Sequence, residues 1–324
     1  MKVVVTGGTG LVGRAVVKFL RKRGDTVVAL VRDPARGSFL ADLGADLVRD
    51  DLSDVSRLTG ILGGADGLIL AAGSYRVGIP ASERGAMWES NVGTTTRVLD
   101  AAAAAATARI VYVSTVNVFG NTRGAVVDER HQRDVGAGFL TWYDETKYRA
   151  HEVAEARIAD GAPIVIVLPS QVCGPGDHSG FGQQLQLAHD GKLRYRAVEG
   201  LRIGLVHADD LAVGIVAALD RGRIGESYVL SGPAVSLREA TGIAARIGGH
   251  PLPRLALPDG LLRVMSPLGR LIGQPNLREI VDSSSGVTYL ASSAKAEREL
   301  GFRPRDIETN LRTVLGAART AAAH

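Results

Sequence analysis

Cysteine occurs once in the 324 residues, at Cys173, which excludes an internal disulfide and a multi-cysteine zinc site. Charge of one sign is also lacking: Lys+Arg number 38 and Asp+Glu 34, leaving a net +4 with no long Lys/Arg block. A dedicated nucleic-acid binder carries a larger positive excess. No apolar run approaches the roughly 20 residues that cross a bilayer. The opening Met1–Thr6 runs into a glycine cluster before a signal-peptide hydrophobic region develops. These absences predict a protein without nucleic-acid partner or membrane insertion, in a reducing, cytoplasmic compartment. Aromatic residues reach only 5%, but hydrophobic residues reach 45%, too many for a disordered chain. Glycine is what the chain has in quantity, 40 residues. That richness suits tight strand–helix turns and close packing of small residues.

Two hydrophobic periods alternate through the first half. Lys2–Thr6, Thr26–Val31, Asp46–Val48, Gly67–Ala72, Ile110–Ser114 and Ile164–Leu168 are short apolar runs rich in β-branched residues. Leu11–Arg23, Asp54–Leu62, Arg84–Ala106 and Trp142–Asp160 carry helical spacing between them. Near-continuous apolar strands separated by helices predict an α/β fold with a doubly wound parallel sheet. After Pro169 the rhythm loosens into the turn cluster Gly174–Gly176 and a polar stretch, Ser179–Gly191. A strand at Ile203–Val206, a helix at Asp209–Leu219 and a strand at Ser227–Leu230 follow. Short helices at Leu237–Ile247, Gly260–Val264, Leu277–Val281 and Lys295–Leu300 then predict a second, smaller, mostly helical lobe.

The segment Thr6–Gly13 joins the first strand to the first helix and places glycines at Gly7, Gly10 and Gly13. That spacing allows a tight turn, close approach of backbone to a pyrophosphate, and close helix–sheet packing, as in a Rossmann dinucleotide site. Thr9, Leu11 and Val12 complete the expected phosphate loop. The second strand ends in Arg32-Asp33-Pro34. An NAD-preferring site places an acidic residue there, whereas Arg32 suits the 2′-phosphate of NADP. NADP(H) is therefore the favoured cofactor and NAD(H) the alternative, with Arg36 in the same loop. Asp51 and Leu52 after the third strand lie where a carboxylate reaches the adenine amino group. Ala71, Ala72 and Gly73 close the fourth strand with small residues that leave room for the dinucleotide. Pro169, Ser170 and Val172 after the sixth strand complete the expected cofactor-binding set.

Tyr143 and Lys147 are four apart on a predicted helix and so share one face. An ammonium beside the phenol would lower its pKa, making Tyr143 an acid toward a carbonyl or a base toward an alcohol. Lys147 would also hold the nicotinamide ribose. Ser114 or Thr115, at the end of the fifth strand, would donate a hydrogen bond to the same substrate oxygen. No nucleophile-elbow sequence competes, and no His/Asp/Glu grouping has metal-ligand spacing.

With these motifs in order, the chain resembles the extended short-chain dehydrogenase/reductase family over essentially its whole length. The matching pieces are Thr6–Gly13, Asp51-Leu52, Ala71-Ala72, Asn91–Thr94, Val111–Gly120, Tyr143 with Lys147, Gly174–Asp177 and Val206–Asp210. Arg32-Asp33-Pro34 and Gly200–Ala212 carry a closer similarity to the dihydroflavonol-reductase-like branch, which includes bacterial members described as hopanoid-associated sugar epimerases. The resemblance implies that Thr115 holds the family's hydroxyl position and that Tyr143 and Lys147 act as above. It also implies a homodimer through a four-helix interface of Arg84–Ala106 and Trp142–Asp160, which Ala101–Ala106 would let approach closely. Two departures bear on substrate: Gln171 stands where sugar-nucleotide enzymes usually carry Asn, and Ile203, beside Arg202, where they use an Arg on the diphosphate. A diphosphate without its guanidinium clamp binds poorly.

The favoured function is NADP(H)-dependent interconversion of a carbonyl and a secondary or primary alcohol on a small, non-nucleotide substrate. A sugar-nucleotide epimerase or dehydratase with tightly bound NAD is the alternative. A non-catalytic dinucleotide-sensing module is the third reading, and a sensor has no need of an acid–base tyrosine. Tyr75, Trp142, Gln171, His178 and Phe181 are candidates for the substrate pocket, with Met87 and Trp88. Asn91 is read as either a water relay or a brace. Cys173 and His207 are read as packing and sheet-edge bonding, and Asp209 and Asp210 as a helix N-terminus. The expected division is an NADP-binding domain of residues 1–168 and 203–230 and a substrate lobe of 169–202 and 231–324.

Overall fold

A computed structural model describes residues 1–267 and 276–321. The first half alternates β1 (Lys2–Thr6), α1 (Leu11–Arg23), β2 (Thr26–Val31), α2 (Ser38–Asp42), β3 (Asp46–Arg49), α3 (Val55–Leu62) and β4 (Gly67–Leu70). It continues with α4 (Arg84–Trp88), α5 (Thr94–Ala104), β5 (Ile110–Val113), α6 (Trp142–Ala159) and β6 (Ile164–Pro169). The second half adds β7 (Gln171–Cys173), α7 (Gly180–His189), β8 (Arg202–His207), α8 (Ala208–Arg221), β9 (Ser227–Leu230) and β10 (Ala234–Ser236). It closes with α9 (Leu237–Gly248), α10 (Asp259–Met265), α11 (Leu277–Asp282), β11 (Thr288–Tyr289), α12 (Ala294–Leu300) and α13 (Ile307–Ala321).

The large sheet has seven parallel strands in the order β3-β2-β1-β4-β5-β6-β9. Its strands are apolar on both faces because both faces are covered. Val4, Leu68, Leu70, Tyr112 and Ile166 meet Leu58 of α3, Leu99 of α5 and Ala150 of α6 on one side. Val3, Val5, Ile69, Val111 and Val165 meet Leu20 of α1 and Ile215 of α8 on the other. The chain is thus doubly wound, with the order reversing between β1 and β4, where such sheets open a ligand crevice at the carboxyl ends of the strands.

One strand lies elsewhere than expected. β8 does not join the large sheet but centres a smaller one, pairing with β10, β11 and β7. Only α8 and β9 of the segment 203–230 complete the large sheet. Ile203–His207 is buried throughout, and burial of this kind shows that a strand is covered without showing by which sheet. The expected polar stretch Ser179–Gly191 contains α7, whose start is fixed by Ser179 Oγ accepting from Gly182 N at 3.1 Å. The expected helix Arg84–Ala106 is instead α4 and α5 joined by a π turn, Glu89–Gly93. Among the described residues, no helix is long and apolar enough to cross a membrane.

Candidate active site

The glycine loop closes on itself at the mouth of the crevice. Gly7 lies at φ +71°, and a Cβ there would come within 2.7 Å of the Ala71 carbonyl. Gly10 N–H donates to Gly7 O at 3.0 Å, and a Cβ on Gly13 would collide with that same oxygen. A Cβ on Gly10, by contrast, would meet only Gly7 O, at 3.4 Å, so this glycine borders open space. Gly10 caps α1 without a side-chain hydrogen bond, and the first turn of α1 holds no acidic residue. The N–H groups of Leu11 and Val12 therefore begin a helix end whose dipole is uncompensated, a fit for a pyrophosphate. Thr9 is exposed beside it.

Around this loop, Arg32 and Arg36 are exposed, and among the described residues neither forms an ion pair or side-chain hydrogen bond. Asp33 is committed within its own loop, accepting from Ala35 N at 3.0 Å. Asp51 is exposed and holds Ser53 N at 3.0 Å, while Leu52 is buried at φ +63° with its carbonyl taken by Arg97 at 2.8 Å. Ala71 and Ala72 are half-buried, and Ala72 N donates to Thr6 Oγ1 at 3.2 Å. Gly73 leaves room for Asn91, whose Oδ1 accepts from Ser74 N at 2.7 Å. Asn91 Nδ2 donates to Ser74 O at 3.1 Å and to Thr146 Oγ1 at 2.9 Å. Asn91 is thus a brace between the loop after β4 and α6. Pro169 and Ser170 are buried at the end of β6, where Ser170 Oγ accepts from Gly232 N at 3.4 Å, and Val172 lies in β7.

Tyr143 and Lys147 occupy the first two turns of α6, which Thr141 caps by accepting from Asp144 N at 2.9 Å. Both are buried. Burial lowers the Lys147 ammonium to about 8. Its Nζ donates to Val113 O at 3.0 Å and lies 3.5 Å from Tyr112 Oη. Burial, with the Tyr75, Asp144 and Tyr112 acids nearby, raises the Tyr143 phenol well above its usual value. This reverses the lowered phenol expected from helical spacing, because spacing registers the neighbouring cation but not the desolvation. The Thr115 hydroxyl works against that rise, favouring the phenolate. Its own hydrogen goes to Asn117 Oδ1 at 3.2 Å, so the donor expected toward a substrate oxygen is engaged within the protein. Ser114 Oγ instead meets His151 Nδ1 at 3.0 Å, two helical turns beyond Tyr143. Of the two hydroxyls, Thr115 and not Ser114 bears on the charge of the tyrosine.

Tyr75 meets Tyr143 edge-on, with ring centroids 4.7 Å apart. Ile79 and Met87 pack on the same ring with Trp142, whose indole N–H donates to Arg84 O at 2.9 Å and which faces Trp88. Ile79 was not singled out from the sequence, since a lone isoleucine in a loop carries no pattern. Gln171 turns its amide to Val172 O at 3.2 Å, and Phe181 packs on the core under the second lobe. His178 accepts a bond from Gln183 through its backbone. The charge of Asp177 in the same loop helps raise the Tyr75 phenol, after burial and Asp144. Ile203 is buried in β8, and Arg202 beside it is exposed.

Other candidates have structural partners. His207 Nδ1 caps α8 by accepting from Asp209 N at 3.1 Å. Asp210 takes the Arg305 guanidinium at 2.6 Å, and Lys18 stands 3.8 Å from Asp209. Cys173 Sγ bonds Asn310 Oδ1 at 3.1 Å, and burial pushes its thiol up to about 12, away from reactivity. Among the described residues no cluster of His, Cys, Asp or Glu is suited to a metal ion.

Residues 3–231 match the model of the NAD dependent epimerase/dehydratase family. A Synechocystis sp. protein provisionally named dihydroflavonol 4-reductase is 32% identical over 320 residues, covering 95% of this chain and 91% of its own. The 4-hydroxy-2-methyl-3-oxo-4-farnesyl-3,4-dihydroquinoline-1-oxide ketoreductase of Stigmatella aurantiaca is 33% identical, with 94% and 92% covered. The crystal structure of a nucleoside-diphosphate-sugar epimerase from Pseudomonas aeruginosa superposes with a TM-score of 0.81 at 25% identity, over 99% of this chain and 98% of that one.

Proposed function

Because the chain belongs to the NAD dependent epimerase/dehydratase family, we propose that Tyr143 is the proton donor of an NADP(H)-dependent carbonyl reductase. The coarser activity follows from the relatives: it is an NAD(P)-dependent oxidoreductase acting on CH–OH groups. One observation carries the finer reading. Tyr143 is buried on α6, four residues before Lys147, and its phenol, raised by burial, carries its proton. In that protonated form it is placed to act as the general acid of a carbonyl reduction. NADP(H), when bound, supplies the hydride. The loop Gly7–Gly13 would hold its pyrophosphate, Arg32 its 2′-phosphate, and Lys147 its nicotinamide ribose.

The substrate is a small ketone or aldehyde with an apolar or aromatic skeleton. Tyr75, Ile79, Met87 and Trp142 surround the phenol with apolar surface. A nucleotide sugar fits less well, since Ile203 is buried and Gln171 is turned to Val172. Tyr143→Phe removes the proton and keeps the ring. Turnover of a carbonyl panel with NADPH should fall by about 10²–10⁴-fold, with NADPH Kd within about twofold of the parent. Near-parental kcat in this variant rules the role out. Including nucleoside-diphosphate sugars in the panel tests the epimerase alternative, which turns over without net consumption of cofactor.

A further inference from the structure

Two stretches of chain surround the Tyr143 ring. The loop after β4 brings Tyr75, with ring centroids 4.7 Å apart, and Ile79, which is buried. The first turn of α6 brings Trp142, packed with Ile79 and Met87 in the same cluster. Each stretch offers a backbone N–H with no helical partner. Trp142 opens α6, where the first N–H groups have none. Gly78 lies in the loop at φ +73°.

Both N–H groups go to one atom. Glu279 Oε1, on α11 of the second lobe, accepts from Trp142 N at 3.3 Å and from Gly78 N at 3.4 Å. The other oxygen is held beside α11 itself, where Asn276 Nδ2 donates to Glu279 Oε2 at 2.5 Å. Asn276 Oδ1 is occupied in turn, accepting from Glu279 N at 3.4 Å. A carboxylate only accepts, so Asn276 fixes which oxygen is left for the two walls. The loop also meets α11 closely. A Cβ on Gly78 would come within 2.8 Å of Ile280 and 3.3 Å of the Asn276 carbonyl. At the far end of α11, Asp282 takes Arg263 of α10 at 3.1 Å. One side chain that belongs to neither wall therefore ties both to the second lobe, and its negative charge suits the amino end of α6. We infer that Glu279 is a positioning residue: it sets the spacing of Ile79 and Trp142 around Tyr143. It thereby selects among carbonyl substrates by the bulk of their apolar skeleton.

This inference rests on the reading of the Tyr143 surround as a carbonyl site, and one arm of its test needs no turnover. Glu279→Leu keeps the bulk and removes both acceptor oxygens. On a series of ketones graded in apolar bulk, KM for the preferred member should rise about tenfold, with kcat and NADPH Kd within about twofold. Discrimination against its bulkier homologues should shrink by about the same factor. Acrylamide quenching of Trp88 and Trp142 should increase without any substrate, because the start of α6 is no longer held. Glu279→Gln alone turns an NH₂ toward that of Asn276, and Asn276→Asp alone sets two carboxylates together, so each should behave like Glu279→Leu. Combined, the carboxylate of Asn276→Asp accepts from the amide of Glu279→Gln, whose oxygen again faces Gly78 and Trp142. KM, discrimination and quenching should then return to within about threefold of the parent. Parental KM and discrimination in Glu279→Leu, a loss confined to kcat, unchanged quenching, or a combined variant no better than either single one would each overturn the inference. If Glu279→Leu does not keep a parental circular dichroism spectrum, Glu279→Asp, a methylene too short to reach both N–H groups, carries the same expectations. Parental kcat in Tyr143→Phe would instead sink the carbonyl-reductase reading, and quenching would still decide whether Glu279 holds the walls.

Discussion

Asp33 accepts from Ala35 N within its own turn, and Arg32 extends from the end of β2 into solvent. The carboxylate at this position is thus engaged by its own turn, and the proposed use of NADP(H) sets the unpaired Arg32 cation against the 2′-phosphate. Charge-assisted contacts contribute roughly 1.5–3 kcal/mol each. Arg32→Ala should accordingly raise the NADPH Kd about tenfold to hundredfold and barely change that for NADH. Arg36 shares the loop, so the double alanine variant should lose more, and fluorescence titration of both cofactors checks both claims. Parental binding of NADH as tight as NADPH would show that Asp33 faces the ribose. Lys147 gives a pH signature. Burial holds its ammonium at about 8, so it is charged at pH 7 and neutral well above 8. NADPH affinity should decline as pH rises through about 8, whereas Lys147→Met should bind weakly at every pH and lack that decline. At this scale the sequence showed which residues share a helix face. It did not show that burial outweighs the lysine at Tyr143, nor which of two adjacent hydroxyls points inward, because both depend on what the third dimension packs around them.

Periodicity locates elements well where one pattern runs unbroken. α1 and β9 fall on their expected bounds, because each apolar repeat ends at a turn residue. The interval Arg84–Ala106 reads as a single helix, yet it holds a π turn at Glu89–Gly93. One extra residue in a turn leaves the apolar spacing on either side intact and so is silent in the sequence. Its consequence is Asn91, which the π turn carries and which hydrogen-bonds Ser74 and Thr146 while 1% exposed. Asn91→Leu would leave Ser74 N–H, Ser74 C=O and Thr146 without their partner. Each stranded group costs about 1–3 kcal/mol. The melting temperature should fall by several degrees, and NADPH binding should weaken, because the loop after β4 shapes the dinucleotide crevice. Unchanged melting would mean that water replaces Asn91 at low cost. β8 shows the opposite limit: its strand character was plain, but the choice of sheet depended on β7, β10 and β11, which are too short to announce themselves.

The whole molecule joins its two parts at the first turn of α6. Glu279 of α11 accepts from Trp142 N at 3.3 Å and from Gly78 N at 3.4 Å, while Tyr289 of β11 holds Asp144. Tyr143 lies between these two attachments. The remaining question of assembly concerns the opposite side of the same helices, and the alanine run decides what is available there. Ala101 and Ala102 are fully buried in the chain's own core, so they contribute nothing to a partner; Ala103 and Ala104 are exposed at the end of α5. If a second copy packs on α5 and α6 about a two-fold axis, these two small residues set how closely the helices approach. Light scattering at micromolar concentration should then give twice the 34.0 kDa chain mass. Ala103→Arg should halve that mass while leaving the melting curve of the separated chain within about 0.5 kcal/mol of stability, as exposed substitutions do. A parental protein that scatters as a single chain would contradict the dimer outright. A dimer that survives Ala103→Arg would place the interface on another face.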